Sequence, residues 1–287
     1  MLFLSIRRQW ADLSLLAVTL VWGATFVVVK RAIADLPPFP FLAVRFALAF
    51  ASLLPLVWAR RSRLDRSLLL KAALIGVFLF SGYALQTVGL LYTTASNAGF
   101  ITGLSVVIVP ALVLLATRRL PRPPLLLGIV SATVGLALLS LGEHFEPNRG
   151  DVLVLFCAIS FALHIFLVGR YAPEADAVLL TAGQLLVVAI LSSLASFAFP
   201  APVHFTGTAW FGILLTAIPA TSLAFFIQTK MQQFTTASHT ALIFASEPVF
   251  SAVFAYLLAG EMLTPRGLAG AALVLFGMLV SEFTANK

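Results

Sequence analysis

Ten apolar stretches divide the chain, at roughly 12–33, 39–59, 68–90, 94–116, 123–142, 150–169, 177–198, 208–230, 236–259 and 265–284. Each is 20 to 24 residues long. About 20 helical residues at roughly 1.5 Å rise cross the hydrocarbon of a bilayer. Segments of a membrane β-barrel would run about 10 residues with alternating polarity, and nothing here alternates. Proline and turn residues separate the runs, as in Leu36-Pro37-Pro38, Arg118 to Pro124, Glu146 to Gly150 and Pro200 to Pro202. The pattern predicts an all-α integral membrane protein of ten transmembrane helices.

The pattern also repeats. Tyr92-Thr93-Thr94-Ala95-Ser96-Asn97 matches Phe234-Thr235-Thr236-Ala237-Ser238-His239, and Gly128 and Gly135 match Gly270 and Gly277. Ala11-Asp12-Leu13 opens the first run as Gly150-Asp151-Val152 opens the sixth. Residues 1–142 and 143–287 therefore read as two five-helix repeats. Five is odd, so the second copy enters the membrane from the opposite side, an inverted-topology repeat.

Composition agrees: 61% of residues are apolar and 10% charged, against about 45–50% and 25% in soluble domains. The net charge of +7 does not point to nucleic acid, because the basic residues sit in short clusters between apolar runs. Thirteen of the 18 Lys and Arg fall on the side of the N-terminus, four on the other, and Arg45 within a run. Both termini are expected to be cytoplasmic. Arg7 and Arg8 precede a run too long for a signal core, so it reads as a retained first span. The lone Cys157 reads as a small core residue.

Polar groups inside apolar runs are costly and mark candidate sites. Glu247 falls near the midplane just before Pro248; it reads either as a proton or substrate-amine site or as a carboxyl that bonds backbone freed by the proline. Arg45 can hold a substrate carboxylate in a two-pronged contact or tie neighbouring groups together, and the structural role is favoured. Tyr83, Gln86 and Thr87 form one stripe at helical spacing, and Gln86 and Asn97 come out at similar depth, suited to a zwitterion or to interhelical bonds. His164 is a substrate contact or a satisfied structural group. Trp22 lies too deep for an interfacial belt and reads as a cavity wall. Phe26, Phe100 and Phe225 are the phenylalanines placed to stack on a substrate. Pro110, Pro219 and Pro248 interrupt their runs, and Pro110 and Pro248 are candidate hinges. The glycines at 128, 135, 142, 270 and 277 look like close-packing faces, open to a dimer contact. His144, His204 and His239 lie in or near loops with no metal-ligand spacing. No catalytic motif, cofactor-binding motif or metal site is visible.

Trp22-Gly23-Ala24-Thr25-Phe26-Val27, Val44-Arg45-Phe46, Thr93 to Phe100, and Glu247-Pro248-Val249-Phe250 with Glu261 beyond it occur in this order. Together they resemble the EamA-type carriers of the drug/metabolite transporter superfamily, and within it the YddG-type exporters of aromatic and other amino acids. The resemblance covers nearly the whole chain. It implies a ten-helix bacterial inner-membrane carrier with a central substrate cavity, monomeric or homodimeric and without a cofactor. The second half departs from the first: His164 stands where Thr25 would align and Gln184 where Arg45 would. The function expected is export of amino acids or similar small metabolites by alternating access. A drug or lipophilic-cation carrier is the alternative within the fold, and a membrane enzyme or scaffold the alternative outside it.

Overall fold

A computed structural model describes residues 2–140, 148–259 and 264–285, and these are helical throughout apart from short turns. The helices are α1 (Leu2–Asp35), α2 (Pro38–Arg60), α3 (Arg66–Gly89), α4 (Ala95–Gly103), α5 (Ser105–Thr117), α6 (Pro123–Ser140), α7 (Arg149–Tyr171), α8 (Ala177–Ala198), α9 (Gly207–Ala217), α10 (Ala224–Met231), α11 (Ala237–Phe244), α12 (Glu247–Ala259) and α13 (Pro265–Ala285). Seven helical segments are long and apolar enough to cross a bilayer; α1, bent by 42° between Thr25 and Val28, would make an eighth.

Side-chain caps set the helix starts. Thr94 Oγ1 accepts from the Asn97 amide at 3.1 Å, and Thr236 Oγ1 from the His239 amide at 3.2 Å. The repeated Thr-Thr-Ala-Ser is thus a helix-start device, used once for α4 and once for α11. Asn148 and Asp151 form a reciprocal capping box for α7.

Three of the apolar runs are broken where a single helix was expected. Pro248 lies in the first turn of α12, where its missing N–H costs nothing, and the chain turns at Ala245 and Ser246 ahead of it. Ser246 Oγ donates to Ile243 O at 2.6 Å across that break. Leu104 separates α4 from α5, six residues upstream of Pro110. Pro219 lies in a π-helical segment, Ile218–Leu223, that joins α9 to α10.

The interior and exterior follow membrane logic. Arg45, His164, Gln184, Gln228 and Gln232 are buried, while Leu115, Phe156, Phe197 and Phe211 face outward. In lipid the outward apolar surface carries no penalty. Helix α6 packs on α13 through paired glycines: a Cβ on Gly128 would lie 2.6 Å from Gly277 O, and one on Gly135 2.6 Å from Gly270 O. The glycine faces are thus spent inside the chain. Gly23 brings α1 against the start of α12, where a Cβ would meet Glu247 O at 2.9 Å.

Candidate functional site

A cavity of about 90 Å³ lies among α1, α2, α3, α4, α7, α10, α11 and α12. One water needs about 10–15 Å³ on this measure, so the space suits several waters or one compact solute. Of the residues singled out in the sequence, Trp22, Arg45, Tyr83, Gln86, Thr87, His164, Phe225, Glu247 and Pro248 line it. Their positions span more than 220 residues of chain, and only the bundle brings them together.

The apolar wall is built around Phe225. Its ring centroid lies 5.4 Å from Trp22, 6.1 Å from Tyr83 and 5.6 Å from His164. Phe244 extends the wall at 5.0 Å from Trp22, edge to face, and Tyr83 meets Phe161 at 5.3 Å. These tilted and edge-on geometries are the favoured ones for aromatic pairs.

The polar wall is held from behind. Trp22 Nε1 donates to Ala220 O at 2.8 Å, and Arg45 Nε to Thr221 Oγ1 at 2.8 Å. Ser52 Oγ donates to Ser222 Oγ at 2.7 Å. Three consecutive residues of the π-helical segment are therefore gripped by α1 and α2. The Arg45 guanidinium also lies 5.0 Å from the Tyr83 ring centre, a cation–π contact. Both readings of Arg45 thus have a basis: it ties α2 to residue 221, and it lines the cavity.

His164 Nε2 lies 2.7 Å from Gln184 Oε1, and Gln184 Nε2 donates to Thr229 Oγ1 at 3.2 Å. An amide oxygen only accepts, so His164 Nε2 carries the hydrogen. Gln86 Nε2 donates to Thr102 Oγ1 at 3.2 Å. Cys157 is fully buried beside Thr102, as a core residue would be. No hydrogen bond or ion pair from a described residue reaches the Glu247 carboxyl, and the bond to backbone freed by Pro248 is not formed.

Other expected residues stand apart from the cavity. Asn97 is half-buried in the first turn of α4 and Phe100 packs between two apolar clusters; neither lines the space. Pro110 is buried within α5, away from it. His239 lies near a loop, as expected, two residues inside α11. It is buried at the start of α11, with Nε2 3.3 Å from Asp12 Oδ1 and Nδ1 2.9 Å from Ser281 Oγ. The Phe26 side chain, Gly142, His144 and Glu261 lie outside the described residues. Among the described residues no three His, Cys, Asp or Glu gather as a metal would need.

Sequence reasoning missed Thr25, Phe161, Phe244 and, above all, Gln228, all of which line the cavity. The signal for Gln228 was present: Gln184 and Gln228 are amides inside otherwise apolar runs, and Gln232 follows Gln228 by one helical turn.

Comparison with known proteins narrows what such a cavity belongs to. An uncharacterized transporter of Archaeoglobus fulgidus is 35% identical over 277 residues, covering 96% of this chain and 86% of that protein. The uncharacterized transporter YoaV of Bacillus subtilis is 22% identical over 96% of this chain and 97% of its own length. The uncharacterized inner membrane transporter YedA of Escherichia coli K12 is 29% identical over 162 residues, 52% of this chain and 50% of that protein. A solved crystal structure shares the fold, with a TM-score of 0.81 at 20% identity over 97% of this chain and 98% of its own. The model of the EamA-like transporter family matches twice, over residues 9–141 and 148–283. With an apolar exterior, a cavity lined by aromatic and polar side chains among its helices and both halves matched, this multi-pass membrane protein belongs to the EamA-like transporter family.

Proposed function

We propose that this transporter exports small zwitterionic metabolites, neutral and aromatic amino acids among them, by alternating access through the central cavity. The observation that carries this reading is an acidic and a basic side chain lining one aromatic-walled space. The Glu247 carboxyl, with no partner among the described residues, lines it together with the Arg45 guanidinium. An ammonium is suited to the first and a carboxylate to the second. The rings of Trp22, Tyr83, Phe225 and Phe244 offer faces to an apolar side chain.

The mechanical part of the reading is ten spans in two inverted repeats, 1–142 and 143–287, with both termini cytoplasmic in a bacterial inner membrane. The double family match, the twin Thr caps of α4 and α11 and the reciprocal glycines of α6 and α13 support the repeat. The excess of Arg and Lys on one set of loops supports the orientation. The breaks at Leu104 and at Ala245–Ser246 fall in corresponding positions of the two halves. Interrupted helices facing a central site are where a rocking motion would bend.

A second reading follows from the same unpartnered carboxyl: a lipophilic cation would satisfy Glu247 and the aromatic wall without using Arg45. Counterflow in proteoliposomes separates the two. Labelled L-phenylalanine is expected to exchange with internal amino acids and not with a quaternary ammonium dye. Exchange of the dye alone would favour the second reading, and no exchange of any amino acid would end the first.

A further inference from the structure

One buried group in the cavity has its orientation dictated from outside it. Gln228 and Gln232 each retain only 1% exposure. Gln232 Nε2 donates to Ile165 O at 3.1 Å, and Gln228 Nε2 donates to Gln232 Oε1 at 3.1 Å. A main-chain carbonyl cannot donate, so Gln232 must offer it the NH₂ end. The Gln232 oxygen then faces Gln228, which must answer with its own NH₂. Gln228 is left with its oxygen free, without a hydrogen-bond partner among the described residues.

Gln228 lines the central cavity. Gln232 does not; it lines a separate cavity of about 510 Å³ beside Arg170 and Gln233. The two amides therefore form a ladder between the two spaces, one helical turn long, with a fixed direction. A buried acceptor with no donor destabilises the fold, and a feature kept at that cost is expected to be used.

The geometry points to Gln228 Oε1 as a binding group for a solute bearing an N–H donor, an ammonium first of all, with Gln232 as the positioning residue that keeps the amide from turning over. This rests on the reading of the cavity as the solute site. This acceptor selects for amines because a solute without an N–H leaves the oxygen unpaired. Rotation of the Gln228 amide would present NH₂ instead and reverse the preference, and Gln232 is what prevents it.

The test uses the purified full chain in detergent and three probes with one phenyl ring in common. These are L-phenylalanine, phenethylamine, which lacks the carboxylate, and 3-phenylpropionate, which lacks the ammonium. Wild type is expected to bind the two amines at least about tenfold more tightly than 3-phenylpropionate. Gln228→Met and Gln232→Met are each expected to lower that ratio at least about fivefold. A structural role for Gln232 would alter stability and leave the ratio alone, so a ratio within about twofold of wild type in either variant overturns the assignment. Should wild type bind none of the three, the amino-acid reading fails, and thermal stability decides the role of the ladder. The Gln228→Met/Gln232→Met double variant removes the unpaired oxygen along with both amides. It is expected to melt no lower than wild type, and a lower melting point would overturn the inference.

Discussion

The Arg45 Nε–H donates to Thr221 Oγ1 at 2.8 Å, and the same hydroxyl donates to Thr216 O five residues back along its own helix. One side chain thus satisfies a carbonyl of the π-helical turn and anchors a buried guanidinium. Thr221→Val keeps the shape and removes both bonds. It is expected to lower stability by about 1–3 kcal/mol, read as a fall in melting temperature in detergent. A melting point equal to wild type would mean that the contact contributes nothing.

Glu247→Gln tests the acidic side chain of the cavity. The amide keeps the volume and the lining position and removes the negative charge. Exchange of L-phenylalanine in proteoliposomes is expected to fall at least about tenfold, the scale of one lost charge-assisted bond. Melting temperature should hold or rise, because a buried carboxyl without a partner is a cost to the fold. Unchanged exchange would remove Glu247 from the transport pathway.

Phe225 is the centre of the aromatic wall and 3% exposed. Phe225→Ala is expected to cost about 3–5 kcal/mol and to abolish discrimination between L-phenylalanine and L-alanine. Phe225→Leu, which keeps most of the volume, should retain the fold and lose part of the discrimination. Competition by the two amino acids against one labelled solute measures both variants.

The α6–α13 contact can be broken by one methyl group. Gly128→Ala would place its Cβ 2.6 Å from the Gly277 carbonyl, and backbone cannot move aside cheaply. A loss of about 1–3 kcal/mol is expected, with reduced yield of folded protein. Gly207→Ala is the control, since a Cβ there meets nothing within 4 Å, and its melting point should stay close to wild type.

Asp12 and His239 tie α1 to α11 at 3.3 Å. If the pair acts as a unit, Asp12→Asn, His239→Asn and the double variant will be non-additive in a thermal-stability cycle, with a coupling of about 0.5–3 kcal/mol. Additive losses would show that the two residues serve separate contacts.

Much of this molecule was legible before any coordinates, for a physical reason. Hydrocarbon permits few polar groups, so Tyr83, Gln86, His164 and Glu247 stood out against an apolar background, and all four line one cavity with Trp22 and Phe225. The periodicity of the Thr-Thr-Ala-Ser motif was legible too, though its role as a helix cap required the backbone. Asn97 and Phe100 were chosen by depth along a helix, which leaves rotation about the helix axis undetermined; neither is among the residues that line the cavity. His239 was placed in or near a loop at the start of its apolar run, and its burial against Asp12, over 200 residues earlier, left no local mark. The π-helical turn left no mark in hydropathy, since an extra residue in a greasy helix is still greasy.

That extra residue has a consequence for how the chain can change over time. Each residue of an α-helix turns the chain by about 100°, and a π-helical turn holds one residue more than the regular spiral needs. Because Ile218–Leu223 already holds that surplus residue, removing one position there would let the spiral close with Phe225 and Gln228 still on the cavity wall. The same deletion a turn earlier, in the regular helix α9, would swing everything after it by about 100°. The loose turn is thus the one place in this span where the chain could lose a residue and keep its facing.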